Sequence, residues 1–234
     1  MMFRCAELAL ELDEPLAGTA PIAARWEIVE RPKPWGRDRG LVVEGAKVLL
    51  VRAVSQGQSL GHGRSYLVCT NGARDPCCAI RGPAVAAALE RALPGRVWEC
   101  SHLGGHRFAA NVLVVPDGLC FGRLDARSAP ALAAELEAGR LPLEHFRGRT
   151  SLAPIEQAAE ILVRRELGLA GLDDVSRVDA RNSELQTLIR LADGRTFVAT
   201  LEATSLQPRR VSCRDDKLEA PTEWTLSELV TLSY

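Results

Sequence analysis

The stretch SYLVCTNGARDPCCAIRGPAVAAALERALPGRVWEC, residues 65–100, decides the fold class of this chain. Its first five residues, 65–69, form an apolar run that is typical of a buried strand. Residues 82–93 are rich in alanine and leucine, with a proline in the first turn and Pro-Gly at the end, and this pattern predicts a helix. Residues 96–100 predict another strand. A strand, a helix and a strand in this order indicate an α/β domain.

The segments that flank this unit continue the α/β pattern. Upstream, residues 24–30 and 46–54 are β-like. Downstream, residues 108–115 form an apolar strand that turns through Pro-Asp-Gly into residues 119–124, which predicts a hairpin. Residues 129–139 predict a second helix, which packs on the sheet.

The pattern of predicted helices and strands changes near residue 146. We therefore predict a first domain over residues 1–145 and a C-terminal α+β module over residues 146–234. Residues 153–167 have the apolar spacing of an amphipathic helix, and the segments beyond Gly171 predict an antiparallel meander with one turn at Asp-Gly. We expect this module to support the fold or a partner and to hold no ligand, since Cys213 stands alone among hydrophilic neighbours.

The composition describes an ordinary soluble globular protein. Of 234 residues, 47% are hydrophobic and 25% are charged, and the formal net charge of −1 gives no basic field for nucleic acid. No apolar run is long enough for a membrane span, and the start of the chain turns acidic too early for a signal peptide. We expect a cytoplasmic protein with reduced thiols, so its seven cysteines indicate metal or redox chemistry more than disulfides.

Two cysteines and two histidines form a possible ligand set. Cys69 ends the first strand of the unit, and Cys78 follows after eight residues, just before the predicted helix. That position favours a thiolate, because a helix N-terminus attracts negative charge. His102 and His106 flank the pair Gly104-Gly105, which predicts a loop whose backbone passes close to something bulky. Two thiolates and two imidazoles complete a set of four ligands.

The pattern Cys-x8-Cys followed by His-x-Gly-Gly-His resembles the sucrase/ferredoxin-like family, also called thioredoxin-like ferredoxins. The resemblance covers about residues 15 to 165. Four further segments agree with it: GTAP (18–21), RPKPWGRD (31–38), GGHRFAANVLVVPDG (104–118) and FGRLD (121–125). The resemblance implies a thioredoxin-like ferredoxin core with a 2Fe-2S cluster. Cys69 and Cys78 would bind one iron, and His102 and His106 would bind the other.

This resemblance implies an electron-transfer protein more than a substrate-transforming enzyme. The chain shows no nucleotide motif and no catalytic triad. An unidentified redox partner protein or small redox mediator is therefore implied. The histidine-bound iron is expected to accept the electron, because neutral imidazoles leave more positive charge there than thiolates do. Each imidazole also keeps a second ring nitrogen, so we expect proton-coupled one-electron redox.

Two other functions remain open from the residues alone. In the first, the same four residues form a structural zinc site of the Cys2His2 type, although eight residues between the cysteines is long for a zinc knuckle. In the second, the protein is a thiol oxidoreductase of thioredoxin-like fold that uses Cys77 and Cys78 or Cys100. The absence of any Cys-x-x-Cys motif counts against that function.

The remaining cysteines and two arginines receive weaker predictions. Cys77 and Cys100 are close to the ligand set in sequence, and we expect packing roles, with replacement of a ligand as the alternative. Three further cysteines are expected to be structural: Cys5, Cys120 and Cys213. Arg107 and Arg123 could hydrogen-bond near the cluster or dock an anionic partner, and ordinary surface ion pairs are at least as expected.

Overall fold

The structure is a computed structural model that describes residues 3–36, 43–55, 60–61, 63–181 and 185–232. Its helices are α1 (Cys5–Glu11), α2 (Pro76–Ala92), α3 (Ser128–Glu137) and α4 (Pro154–Leu167). The strands of the first part of the chain are β1 (Trp26–Glu30), β2 (Lys47–Ala53), β3 (Ser65–Cys69), β4 (Val97–Cys100), β5 (Val112–Val115), β6 (Leu119–Phe121) and β7 (Phe146–Arg149). The later strands are β8 (Val175–Ala180), β9 (Gln186–Leu191), β10 (Thr196–Ser205), β11 (Arg209–Arg210), β12 (Leu218–Glu219) and β13 (Thr222–Leu232).

Seven strands form one mixed sheet in the order β1-β2-β4-β3-β5-β6-β7. Its centre is the predicted unit, in which β3 and β4 lie side by side in parallel and α2 connects them. On the other side of β3, strands β5 and β6 form the predicted antiparallel hairpin. The α/β class is therefore confirmed, and this strand order is consistent with a thioredoxin-like core.

The C-terminal segment forms the predicted antiparallel meander. Its sheet has the order β13-β10-β9-β8, and the short hairpin β11–β12 is inserted between β10 and β13. Helix α4 packs between β7 and this meander. Strand β7, which begins at the predicted boundary, belongs to the seven-stranded sheet, and one hydrophobic core extends from Tyr66 in β3 to Leu201 in β10.

Three local features differ from the sequence prediction. Helix α2 begins at Pro76, because the side chain of Asp75 accepts a hydrogen bond from the backbone N–H of Cys77 and proline suits the first helical position. Cys78 therefore lies in the first turn of the helix, not before it. Strand β5 begins only at Val112, since residues 106–108 form a 3-10 turn. Helix α1 was not predicted at all.

The described part of the chain contains no helix that is both long enough and apolar enough to cross a membrane.

Candidate metal centre

The parallel strands β3 and β4 bring the predicted ligands to one edge of the sheet. Cys69 and Cys100 are in register at the carboxyl ends of these strands, and His102 follows two residues after the end of β4. Helix α2 begins at the same edge, which places Cys78 there as well. Carboxyl ends of neighbouring parallel strands are a common location for ligand sites.

Three of the four predicted ligands converge. One ligand atom each from Cys69, Cys78 and His102 lies within 4.8 Å of the other two. Both cysteine side chains are buried, and His102 is partly exposed. A close approach of helix and strand makes this possible, because a Cβ at Gly82 of α2 would overlap the carbonyl oxygen of Cys69.

The two buried cysteine side chains of this group are hydrogen-bonded to each other, and this contact moves their pKa values in opposite directions. Hydrogen bonds from Cys78 and then His102 hold the pKa of Cys69 well below its ordinary value, against the opposing effect of burial. The pKa of Cys78 is well above its ordinary value, because it donates to Cys69 and is itself buried. A metal ion would replace the thiol proton of Cys78 and favour both thiolates.

His106 lies beside the group of three but outside it. Its ring centroid is 5.3 Å from that of His102, with an angle of 35° between the ring planes. Its Nε2 atom is 3.6 Å from Oδ2 of Asp75, which is too far for a hydrogen bond. Both ring nitrogens of His106 are buried and make no hydrogen bond with the described residues. Burial lowers the pKa of His106, which favours the neutral imidazole that metals bind.

The loop that carries the two histidines rests on a buried arginine. Gly104 and Gly105 have φ values of 95° and 66°, which favour glycine. The guanidinium of Arg147, in β7, donates to the carbonyl oxygen of Gly104 at 3.1 Å and to Oδ1 of Asn111 at 2.8 Å. Asn111 in turn donates to the carbonyl oxygen of Gly105 at 2.9 Å. Arg147 also donates to the side chain and the carbonyl oxygen of Thr19.

Arg107 and Arg123 hold the N-terminal segment of the chain. Arg107 forms an ion pair with Glu14 at 2.5 Å, and Glu14 is buried. Arg123 donates to the carbonyl oxygens of Ala9 and Glu14. The observed contacts of Arg107 and Arg123 are therefore ordinary ion pairing and support of the N-terminal segment.

A second group of possible ligands lies beside the first. Cys5, Asp75, Cys77 and Cys213 each place a ligand atom within 4.8 Å of the others. The expectation that residues 146–234 hold no plausible ligand is therefore wrong. It failed because neighbours in sequence do not reveal that the loop after β11 folds back onto Asp75, whose Oδ2 accepts a hydrogen bond from the backbone N–H of Cys213 at 2.9 Å.

The other two cysteines lie inside the protein. Cys100 is buried in β4 beside Cys69. Cys120 is buried in β6, where its Sγ is 3.5 Å from Nη1 of Arg147.

Sequence reasoning missed the residues that support the ligands. Asp75 could have been recognised, since Asp-Pro is a helix-start signal. No local signal pointed to Cys5, Asn111 or Arg147, because their roles depend on strands and helices that meet only in the folded chain.

A comparison with protein-family models bears on the family prediction. Residues 42–148 match the family model for sucrase/ferredoxin-like proteins, which confirms the family prediction. The matched region includes both cysteines and both histidines of the predicted ligand set. No curated protein and no solved structure matches this chain.

Proposed function

We propose that this sucrase/ferredoxin-like protein is an electron carrier that holds a 2Fe-2S cluster through Cys69, Cys78, His102 and His106. The observation that supports this function is the convergence of Cys69, Cys78 and His102 at one sheet edge, with the buried ring nitrogens of His106 beside them. A bound 2Fe-2S cluster supplies one-electron transfer, which no protein side chain of this site provides.

The donor set fits such a cluster. Thiolates and imidazoles are both known ligands of 2Fe-2S centres. The cysteines come from the end of β3 and the start of α2, while both histidines come from the loop after β4, so the two pairs approach from different elements. Both buried nitrogens of His106 make no hydrogen bond with the described residues, and a metal bond would satisfy one of them.

The position of His106 favours two metal centres over one. A single tetrahedral zinc ion needs all four ligand atoms around one point. Here His106 is not part of the group formed by Cys69, Cys78 and His102, and its Nε2 faces Asp75. Ligands of two different irons do not have to meet at one point, so this arrangement supports the binuclear cluster.

The surroundings of the site favour uptake of an electron. The guanidinium of Arg147 is buried, and its positive charge acts on both Cys69 and Cys78. A buried cation stabilises added negative charge more than an exposed one does, because water screens it less. The partly exposed residues 104–106 give an unidentified redox partner protein or small mediator a place to approach.

A proton is expected to accompany the electron. Histidine ligated through one nitrogen keeps a second nitrogen, and added negative charge at the iron makes that nitrogen more basic. The loop around His102 and His106 is partly exposed, while the carboxylate of Asp75 faces His106 from the helix side. His102 and His106 can therefore each hold and exchange one proton on the imidazole ring.

Metal and sulfide analysis tests this function. Protein purified without oxygen should be red-brown and contain about two irons and two acid-labile sulfides per chain. Its reduced form should give an electron paramagnetic resonance signal that changes when His102 or His106 is replaced. A colourless protein with one zinc at Cys69 and Cys78 and no sulfide would establish the structural zinc site instead.

A separate assay tests the thiol oxidoreductase function. Reduction of a protein disulfide should be absent or negligible. Strong disulfide reductase activity that survives replacement of both histidines would overturn the electron-carrier proposal.

A further inference from the structure

Four side chains from distant parts of the chain meet beside the histidine loop. Cys5 begins α1, Asp75 and Cys77 lie at the start of α2, and Cys213 lies in the loop between β11 and β12. Three of these four side chains are buried, and Cys213 is partly exposed. None of them belongs to the proposed 2Fe-2S ligand set.

The three sulfur atoms form a nearly equilateral triangle. The Sγ distances are 3.7 Å between Cys5 and Cys77, 3.4 Å between Cys77 and Cys213, and 3.5 Å between Cys213 and Cys5. Both carboxylate oxygens of Asp75 lie 3.8 Å from Sγ of Cys5. With metal–sulfur bonds of about 2.3 Å, neighbouring ligands of a tetrahedral ion are separated by about 3.8 Å.

From this geometry we propose a second metal site, in which Cys5, Cys77, Cys213 and Asp75 bind one Zn²⁺ ion. Three thiolates select a soft or borderline metal over Mg²⁺ or Ca²⁺. The carboxylate as fourth ligand suits Zn²⁺, which accepts sulfur and oxygen together. The inference does not depend on the 2Fe-2S proposal, since the two sites use different side chains.

Backbone N–H groups surround these ligands as they do in metal–thiolate sites. The N–H of Cys5 donates to Sγ of Cys213 at 3.3 Å, and the N–H of Ala6 donates to the side chain of Cys77. The backbone N–H groups of Cys77 and Cys213 each donate to Asp75 at 2.9 Å. Such donors fix the orientation of ligands and stabilise their negative charge.

A disulfide would give a different set of distances between these sulfur atoms. It would join two sulfurs at about 2.05 Å and leave the third outside. All three pairs of sulfur atoms are instead separated by similar distances, and the carboxylate of Asp75 provides the fourth ligand position. The proposed zinc ion would connect α1 and the β11–β12 loop to the start of α2. Asp75 would then link the zinc ion to His106, since Oδ2 of Asp75 also faces the ring of His106.

Zinc analysis in a suitable background tests the site. The double variant Cys69→Ser/Cys78→Ser removes the proposed cluster ligands, so zinc cannot be assigned to them. Full-length protein of this variant should retain about one zinc per chain after dialysis, and adding Cys213→Ser should abolish it. Cys213 is the preferred position because it is partly exposed, so its replacement disturbs the core least.

A matched pair of single variants separates this site from the other. In the otherwise unchanged chain, Cys213→Ser should lose the zinc and keep iron and sulfide, whereas Cys69→Ser should lose iron and sulfide and keep the zinc. Cobalt added to Cys69→Ser/Cys78→Ser protein whose zinc has been removed with a chelator should give the intense thiolate-to-metal absorption of a tetrahedral site, and adding Cys213→Ser should remove that absorption.

Three results would contradict one or both proposals. A folded Cys69→Ser/Cys78→Ser protein that contains no zinc and gives no cobalt absorption would rule out the second metal site. A mass increase of about 2 Da on reduction would identify a disulfide between two of the three cysteines instead. If iron were absent from every protein while zinc followed Cys213, the cluster proposal alone would fail.

Discussion

The guanidinium of Arg147 occupies the space that a side chain at position 105 would need. A Cβ at Gly105 would overlap its nitrogen and carbon atoms, and Gly105 has a positive φ of 66°. The histidine loop therefore rests directly on a buried cation that also bonds Gly104 and Asn111. We expect the positions of His102 and His106 to depend on this contact.

Gly105→Ala should displace the histidine loop. The Cβ must push Arg147 away from its acceptors, which adds to the backbone strain, so we expect a loss of more than about 2 kcal/mol in the free energy of unfolding. Iron content should fall to less than half. Gly139→Ala is the matched control, because Gly139 has a φ of 75° but a Cβ at that position would meet no atom within 4 Å. It should cost about 1 kcal/mol and leave iron unchanged. Equal iron in both variants would contradict the role of Arg147.

Ligand exchange should change the reduction potential in a predictable direction. Replacing His102 or His106 with cysteine should keep a cluster but lower its potential by on the order of 100 mV, because thiolate adds one negative charge. Cys69→Ala and Cys78→Ala should lose the cluster. The sulfur of Cys77 lies with Cys5 and Cys213, so it is poorly placed to replace Cys78. Normal iron and sulfide in Cys78→Ala would show that another cysteine is the ligand.

The potential of the wild-type protein should depend on pH. Two neutral imidazoles give the oxidised cluster a total charge of about zero, so its potential should lie above the roughly −400 mV of all-cysteine ferredoxins. Above the pKa of a ligated histidine in the oxidised protein, the potential should fall by about 59 mV per pH unit for each coupled proton.

The groups that face His106 set where this dependence begins. Burial lowers the pKa of His106, Asp75 favours its protonated form, and three further groups oppose protonation: His102, Arg74 and Arg107. Protein-film voltammetry from pH 6 to pH 10 measures the slope. A constant potential over this range in intact protein would mean that the histidines do not bind iron or are closed off from solvent.

Glu99 should make the stability of the seven-stranded sheet depend on pH. Burial raises the pKa of this carboxyl, but hydrogen bonds from Arg52 and then Lys33 outweigh burial, so the pKa lies below its ordinary value. Its stabilisation is therefore complete above the unfolded pKa of about 4.3 and is lost as the pH falls through the lower folded value.

Glu99→Gln should consequently destabilise the protein at pH 7 by roughly 1–2 kcal/mol and have less effect near pH 3. Urea unfolding at both pH values measures the difference. Glu202→Gln, at an exposed position of β10, is the control and should change little at either pH. If Glu99→Gln lowered the free energy of unfolding equally at both pH values, the ion pairs of Glu99 with Arg52 and Lys33 would be ruled out as the cause.

The sequence by itself determined the local elements and the family. The apolar runs at 65–69 and 96–100 and the alanine-rich helix between them depend on nearest neighbours along the chain, so their pattern is readable. The spacing of Cys69, Cys78, His102 and His106 was readable for a similar reason, since each pair lies in one short segment. The helix start at Asp75-Pro76 was missed although its signal was present.

Only the tertiary structure decided which side chains meet across the fold. Cys5 and Cys213 are separated by 208 positions, and their sulfurs lie 3.5 Å apart because α1 and the β11–β12 loop both pack at the start of α2. Arg147 lies under Gly105 because β7 joins the sheet beside β6. Such contacts depend on the pairing of strands and the burial of faces over the whole chain, and a local sequence pattern carries no record of them.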